Sequence, residues 1–297
     1  MCQYYGDIDT THRSNRNYLP TRRSSSHTVT RRNPTLVRAQ PMCLILVAKD
    51  VHSCYPLIII ANREEYHSRP TQSLSFWHDH PTIAAGRDLT AGGTWFGLNL
   101  QGLFAAVTNF QEPTVTVRSD YSRGMLALDW LRQNTEPADS HLRNHDQLQR
   151  YPGVNVISGN ITTLWWDSNR ASAPRRIPSG ISGLSNSLLN SPWHKIVYGK
   201  QLFKTILNRS FRSDTFFELL SNRTPAKGID ARNSGCSPDL PAAQSAIFIK
   251  GPVYGTRSST VLLVDQQNQV QLVERSYDPE GTILGENRLN FQLQPIA

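Results

Sequence analysis

Residues 42–66 read MCLILVAKDVHSCYPLIIIANREEY. Two runs within it, 43–48 and 57–61, are dense in apolar and β-branched side chains, and a polar, proline-containing joint separates them. Near-continuous apolar character is what a strand needs when both of its faces are covered, so the stretch predicts two adjacent strands of a sheet that lies between other layers. Cys43 therefore begins the folded part. The residues ahead of it carry Arg, Ser, Thr and Asn where a core would need Leu, Ile and Val. Such a composition cannot bury enough apolar surface to offset the entropy of ordering. Residues 1–41 are expected to be a disordered basic tail or a misassigned start, and residues 42–297 a single domain.

Outward from this pair, Ser68-Arg69-Pro70 ends the second run, because the residue before proline avoids the helical region. A loop rich in aromatic and polar residues follows, through Phe76, Trp77, His78 and Asp79. Residues 94–100 and 103–109 then form a hairpin about Gln101-Gly102. Met125, Leu128 and Leu131 recur at helical spacing within 119–134, after Ser and Asp suited to its start. Two short strands are expected at 154–158 and 161–166, around Gly159-Asn160. Residues 171–183 hold too much Pro, Ser and Gly for regular structure. Ser191 as cap and Pro192 at the first helical position open a helix to about Arg209, and a shorter one covers 214–220. Strands return at 246–250, 259–264 and 270–275. Strands, helix, strands, helices, strands is an α+β order that suggests stacked layers, not alternating βαβ units. Neither a G-x-G-x-x-G nor a Walker loop is present.

The formal charge is +8, and residues 1–41 hold +5 of it, from seven arginines against Asp7 and Asp9. A basic tail attracts nucleic acid without specificity, and with Tyr18 as its one interleaved aromatic beyond the start it predicts no specific nucleic-acid partner. Four cysteines are too few for a disulfide scaffold in a chain of this length, which points to free thiols in a reducing compartment. No run reaches the roughly 20 apolar residues of a membrane helix. The expected location is cytoplasmic, with a mitochondrial alternative if the Arg- and Ser-rich start is genuine.

Cys43 follows Met42. Were Cys43 to carry a free α-amine, thiol and base would share one residue, since that amine titrates near about 7.7–8.0 and a thiol near about 8.5. The amine would take the thiol proton and leave a thiolate to attack a carbonyl. While a peptide bond precedes Cys43, the nitrogen is an amide and no base. Asn62-Arg63-Glu64-Glu65 ends the second strand, where polar groups face a site at a sheet margin. Arg63 is suited to orient a carboxylate or steady an oxyanion, and Glu64 or Glu65 to position the ammonium and thiol of Cys43. His78 and His80 lack a third ligand at motif spacing, so no metal site is expected.

Taken together, MCLILVA, IIIANREEYHSRP, FWHDHPTIAAGRDLTAGGTWFGLNLQGLFAAVTNF, GISGLSNSLLNSPWHK and YGTRSSTVLLV resemble the transport and Golgi organisation 2 family, also called the NRDE family after its Asn-Arg-Asp-Glu motif. The resemblance runs from Met42 to about Tyr277, and it departs from the motif at Glu64, which stands where the family has Asp. It implies the N-terminal-nucleophile hydrolase fold, similar to bile salt hydrolases and penicillin V acylases: a four-layer αββα sandwich with Cys43 at an inner strand edge. The function it implies is a cysteine amide hydrolase acting on a carbon–nitrogen bond of a small molecule. The alternative is a noncatalytic binding or trafficking protein for haem or acyl-CoA-like metabolites, for which His52, His67 and His194 are the unassigned candidates for axial contact. No cofactor is expected. By analogy with amide hydrolases of this fold, Asn186 supplies an oxyanion donor and Arg257 a polar anchor. The expected substrate-binding residues are Asn62, Gly93 and Trp95 in the Gly-rich approach to the hairpin, and Thr108 and Asn109 at its end.

Overall fold

The computed structural model describes residues 42–112, 121–133, 145–227 and 242–294. The expected tail, 1–41, and the Gly-, Asp- and Pro-rich segment 228–241 lie outside the described residues. In chain order the strands are β1 (Leu44–Lys49), β2 (Leu57–Tyr66), β3 (Thr71–Phe76), β4 (Ile83–Asp88), β5 (Phe96–Asn99), β6 (Leu103–Asn109), β7 (Val154–Asn160), β8 (Leu164–Ser168), β9 (Arg175–Arg176), β10 (Gly180–Leu184), β11 (Tyr254–Val264), β12 (Gln269–Tyr277) and β13 (Ile283–Gln292). The helices are α1 (Arg123–Leu131), α2 (His194–Leu207) and α3 (Ser213–Leu220).

The strands form two antiparallel sheets. One has the order β10-β1-β2-β11-β12-β13, and the other runs β3 to β9 as an unbroken meander. Alternation along β1 and β2 sorts their side chains between two cores. Ile45, Val47, Ile59 and Ala61 meet Leu98, Phe104, Ile157 and Trp166 of the second sheet. Leu44, Leu46, Ile58 and Ile60 pack under Ile196 and Phe203 of α2 and Phe216 and Phe217 of α3. A third core lies on the far face of the second sheet, where Ala105, Val107 and Val156 meet Leu128, Trp130 and Leu131 of α1. Helix, sheet, sheet, helix is the expected αββα sandwich, and it explains why the two central strands carry no polar alternation.

Several local expectations change. The segment set aside as irregular, 171–183, contains β9 and most of β10, because the free edge of β1 offers a ladder in which Ile45 stands opposite Leu184 and Lys49 opposite Gly180. Residues 246–250, read as a strand, follow a short 3-10 turn and pair in no sheet. Ser191 caps no helix, since its hydroxyl donates to the Leu188 carbonyl at 2.7 Å. α2 starts instead at His194, with Trp193 at the N-cap and no side-chain cap bond. α1 is shorter than expected, and Ser122 caps it by accepting from the Gly124 N–H. β3, β4 and β13 went unread: β13 is mostly exposed, and β3 is half-exposed, so neither carries a clear apolar alternation.

Candidate active site

The site grows from the start of β1. Leu44 stands opposite Asn62 in the β1–β2 ladder, and continuing that register sets Cys43 opposite Arg63. Both continue the parity of Ile45 and Ala61, toward the space between the sheets. Cys43 is half-buried, and its thiol lies 3.9 Å from the Glu64 backbone carbonyl. Arg63 is buried and its guanidinium stacks on Trp95 of the second sheet, 4.1 Å from the ring centroid. Nη1 of Arg63 donates to Thr71 Oγ1 at 3.2 Å, and Nη2 lies 3.7 Å from Glu65. Glu274, on β12, is a further buried carboxyl in this space; it accepts from the Leu74 N–H at 2.8 Å, and burial pushes it up to about 7 against the pull of that bond and of Arg63.

The segment after β10 closes the other side of Cys43. Ser185 Oγ donates to the Cys43 carbonyl at 2.6 Å, while the Ser185 carbonyl accepts from Thr108 Oγ1 at 2.7 Å. Asn186 Nδ2 donates to the Asn109 carbonyl at 2.8 Å. Asn155 donates to Thr108 Oγ1 and the Ser187 carbonyl, at 3.2 and 3.1 Å. Thr108, Asn109 and Asn186 are thus brought to the start of β1 by one continuous hydrogen-bonded stitch.

A different set of groups meets the peptide that precedes Cys43, from the helix-facing side of the sheet. Met42 is fully buried. Its N–H donates to the Tyr254 hydroxyl at 2.7 Å, and its carbonyl accepts from Lys195 Nζ at 2.8 Å. Glu64 lies here too: Thr256 Oγ1 donates to its Oε1 at 2.9 Å, and its buried Oε2 has no hydrogen-bond partner. Burial lifts the Glu64 carboxyl to about 7, although the Lys195 charge and the Thr256 bond pull it down. Burial first, then the Glu64 charge, pushes the Cys43 thiol up to about 12, outweighing the Glu64 carbonyl and Arg63. A thiol held that high is almost wholly protonated near neutrality and is a poor nucleophile.

The remaining expected residues lie apart from the thiol. Asn62 faces the helices, donating to the Leu220 and Ile247 carbonyls at 2.9 and 2.8 Å and accepting from Ser259 at 2.6 Å. Arg257 sits where the β2–β11 register shifts, and its Nη1 donates to the carbonyls of Tyr66, His67 and Arg69. It pins the β2–β3 turn. Gly93 permits a close approach, but by Gly124 of α1, whose backbone carbonyl carbon would lie 2.4 Å from a Cβ there. His52, His67 and His194 fall on the β1–β2 turn, the end of β2 and the start of α2, and among the described residues no group of three or more His, Cys, Asp or Glu is placed to hold a metal ion. A cavity of about 200 Å³ lined by Trp130, Tyr151 and Trp165 opens on the outer face of the second sheet, across that sheet from Cys43. Lys195, Tyr254, Thr256 and Glu274 escaped the sequence reading, since each lies in an ordinary helix or strand pattern.

Two face-to-face antiparallel sheets between helical layers, with a cysteine just before an inner strand, define an α+β protein of the four-layer αββα sandwich class. The chain belongs to the Transport and Golgi organisation 2 family, whose sequence profile matches residues 42–279. The human Transport and Golgi organization protein 2 homolog is 31% identical over 257 residues, covering 79% of this chain and 93% of the relative. The Drosophila melanogaster Transport and Golgi organization protein 2 is 27% identical over 280 residues, covering 81% and 95%. Among solved structures, a Caenorhabditis elegans N-acylethanolamine-hydrolyzing acid amidase ortholog is similar with TM-score 0.39 and 14% identity, over 74% of this chain and 92% of that one. Penicillin V acylase from Agrobacterium tumefaciens is similar with TM-score 0.41 and 12% identity, over 84% and 86%. Among the described residues no helix is long and apolar enough to cross a membrane.

Proposed function

We propose that the protein is a cysteine amide hydrolase that becomes active when Cys43 is the first residue. The observation that carries this reading is Cys43 at the inner edge of β1: its half-buried side chain continues the face that Arg63 shares, and its carbonyl accepts from Ser185, whose own carbonyl accepts from Thr108 beside the Asn109–Asn186 bond. The freed α-amine takes the thiol proton, and the thiolate attacks the amide carbonyl to form a tetrahedral intermediate. Collapse breaks the carbon–nitrogen bond, the leaving amine takes the proton from the α-ammonium, and a thioester remains on Sγ. Water, deprotonated by the same amine, then releases a carboxylic acid and restores the thiol. Asn186 Nδ2 spends one N–H on Asn109, so its second is the oxyanion donor, while Arg63 and Glu65 form the polar wall against the substrate.

The test compares three chains: one beginning at Cys43, one that retains Met42, and a Cys43→Ala form with the same shortened start. Acetyl and palmitoyl p-nitroanilides serve as probes. Nitroaniline is expected from the first chain alone; equal release from the alanine form would overturn the proposal. A second reading is favoured by the suppressed thiol of the Met42-linked chain: a noncatalytic carrier of haem or an acyl-CoA-like ligand at the same edge. It predicts that hemin or palmitoyl-CoA binds wild type and Cys43→Ala equally, with no acyl product from either.

A further inference from the structure

Lys195 is a costly residue for this fold. Its side chain is fully buried, and removing an ammonium from water is expensive unless it is well paired. It also occupies the second position of α2, where the helix dipole already presents positive charge. Core packing does not require a cation at this place, since the neighbouring position of the same helix, Ile196, buries an aliphatic side chain. What Lys195 does reach is the Met42 carbonyl, at 2.8 Å. The nitrogen that becomes the α-amine of Cys43 is bonded to that same carbonyl carbon, so peptide dimensions put it within about 5 Å of Nζ.

We propose that Lys195 is a positioning residue that holds the α-amine of an N-terminal Cys43 uncharged near neutrality, so that it accepts the thiol proton. Two cations this close cannot both be charged without cost, and the Glu64 carboxyl on the Lys195 side favours placing the single charge there. Glu64 supplies the balance from β2, its carboxyl feeling the Lys195 charge and bonded by Thr256. Tyr254, from β11, offers a neutral hydroxyl to the same peptide, because burial keeps its phenol protonated. On the inter-sheet side Arg63 and Glu65 form a mutually screening pair. Loss of the Lys195 charge therefore raises the amine, and removal of Glu64 must act in the opposite sense.

The inference rests on Cys43 being N-terminal, as in the hydrolase reading, but its test requires no substrate. In a chain beginning at Cys43, the rate at which cyanate carbamylates the α-amine, which reacts only when uncharged, is followed by the mass of the N-terminal peptide from pH 5 to 10. Wild type is expected to show a midpoint below the ordinary α-amine range of about 7.7–8.0. Lys195→Met raises that midpoint by about one pH unit or more, Lys195→Arg leaves it near wild type, and Glu64→Gln lowers it. A Lys195→Met midpoint equal to wild type in a protein with unchanged circular dichroism overturns the proposal. Should that variant fail to fold, a Glu64→Gln midpoint that is unmoved or raised does the same. A shifted profile without nitroaniline release would retire the hydrolase and leave Lys195 in place; release with an unshifted profile would do the reverse.

Discussion

Asn62 and Glu64 stand two positions apart on the same face of β2, and the fold uses them differently. Asn62 has both ends of its amide engaged, to Leu220, Ile247 and Ser259, and so joins the strand to the end of α3 and the segment before β11. Replacing it with alanine takes the donor from two buried carbonyls and the acceptor from the Ser259 hydroxyl. Asn62→Ala is expected to cost about 2–4 kcal/mol in urea unfolding, and a loss under half a kcal/mol would show that water or a neighbour takes its place. Glu64 keeps one buried oxygen without a partner, which marks a group held for charge more than for packing. The Asn-Arg-Glu-Glu run was visible in the chain, but the division of labour within it was not. Strand alternation sends Asn62 and Glu64 to the helices and Arg63 and Glu65 to the inter-sheet edge, and which side holds the thiol depends on the register with β1.

At the scale of elements, one tight approach of helix to strand is made by glycines. Gly93 precedes β5 and lies against Gly124 in the first turn of α1, and the Thr94 N–H donates to the Gly124 carbonyl at 3.1 Å. A methyl group on Gly93 would meet backbone atoms of Gly124 and Met125 at 2.4, 2.5 and 2.8 Å, and backbone cannot turn aside as a flexible side chain can. Gly93→Ala should therefore destabilise by about 1–3 kcal/mol through overpacking, read as a lowered urea midpoint at constant slope. An unchanged midpoint would mean that the helix start is free to move. The Gly-Gly pair was legible as permissive backbone, but its partner was not, because the contact joins residues about thirty positions apart. β10 was hidden for a related reason: its glycines and serines have weak strand preference, and the vacant edge of β1 supplies the ordering.

For the whole molecule, two of its buried carboxyls, Glu64 and Glu274, set a pH dependence of known sign. Each is held up to about 7 by burial, against an ordinary value near about 4.3. Below that ordinary value both folded and unfolded chains carry the proton, and the contribution is complete. As pH rises from about 4.3 toward about 7 the unfolded chain ionises first, so stability falls, by about 1.4 kcal/mol per unit for each group, and then levels off. Glu274→Gln keeps an oxygen for the Leu74 N–H and removes the titration. The difference in unfolding free energy between wild type and Glu274→Gln should shift by a few kcal/mol from pH 5 to pH 7.5, in favour of the variant. Parallel stability curves would refute it.

The chain by itself determined the two doubly covered central strands, the β5–β6 hairpin, the layered α+β order and the cysteine just before the first of those strands. These follow from local periodicity and turn chemistry, which neighbouring residues carry between them. Tertiary structure alone decided that Lys195, Tyr254 and Glu64 surround the peptide before Cys43, that Glu274 sits beside Arg63, and that Arg257 pins a turn. Apart from Glu64, which reaches that peptide across the β1–β2 ladder, these contacts join residues more than a hundred positions apart, and the free energy of a buried charge depends on what lies across the sheet from it.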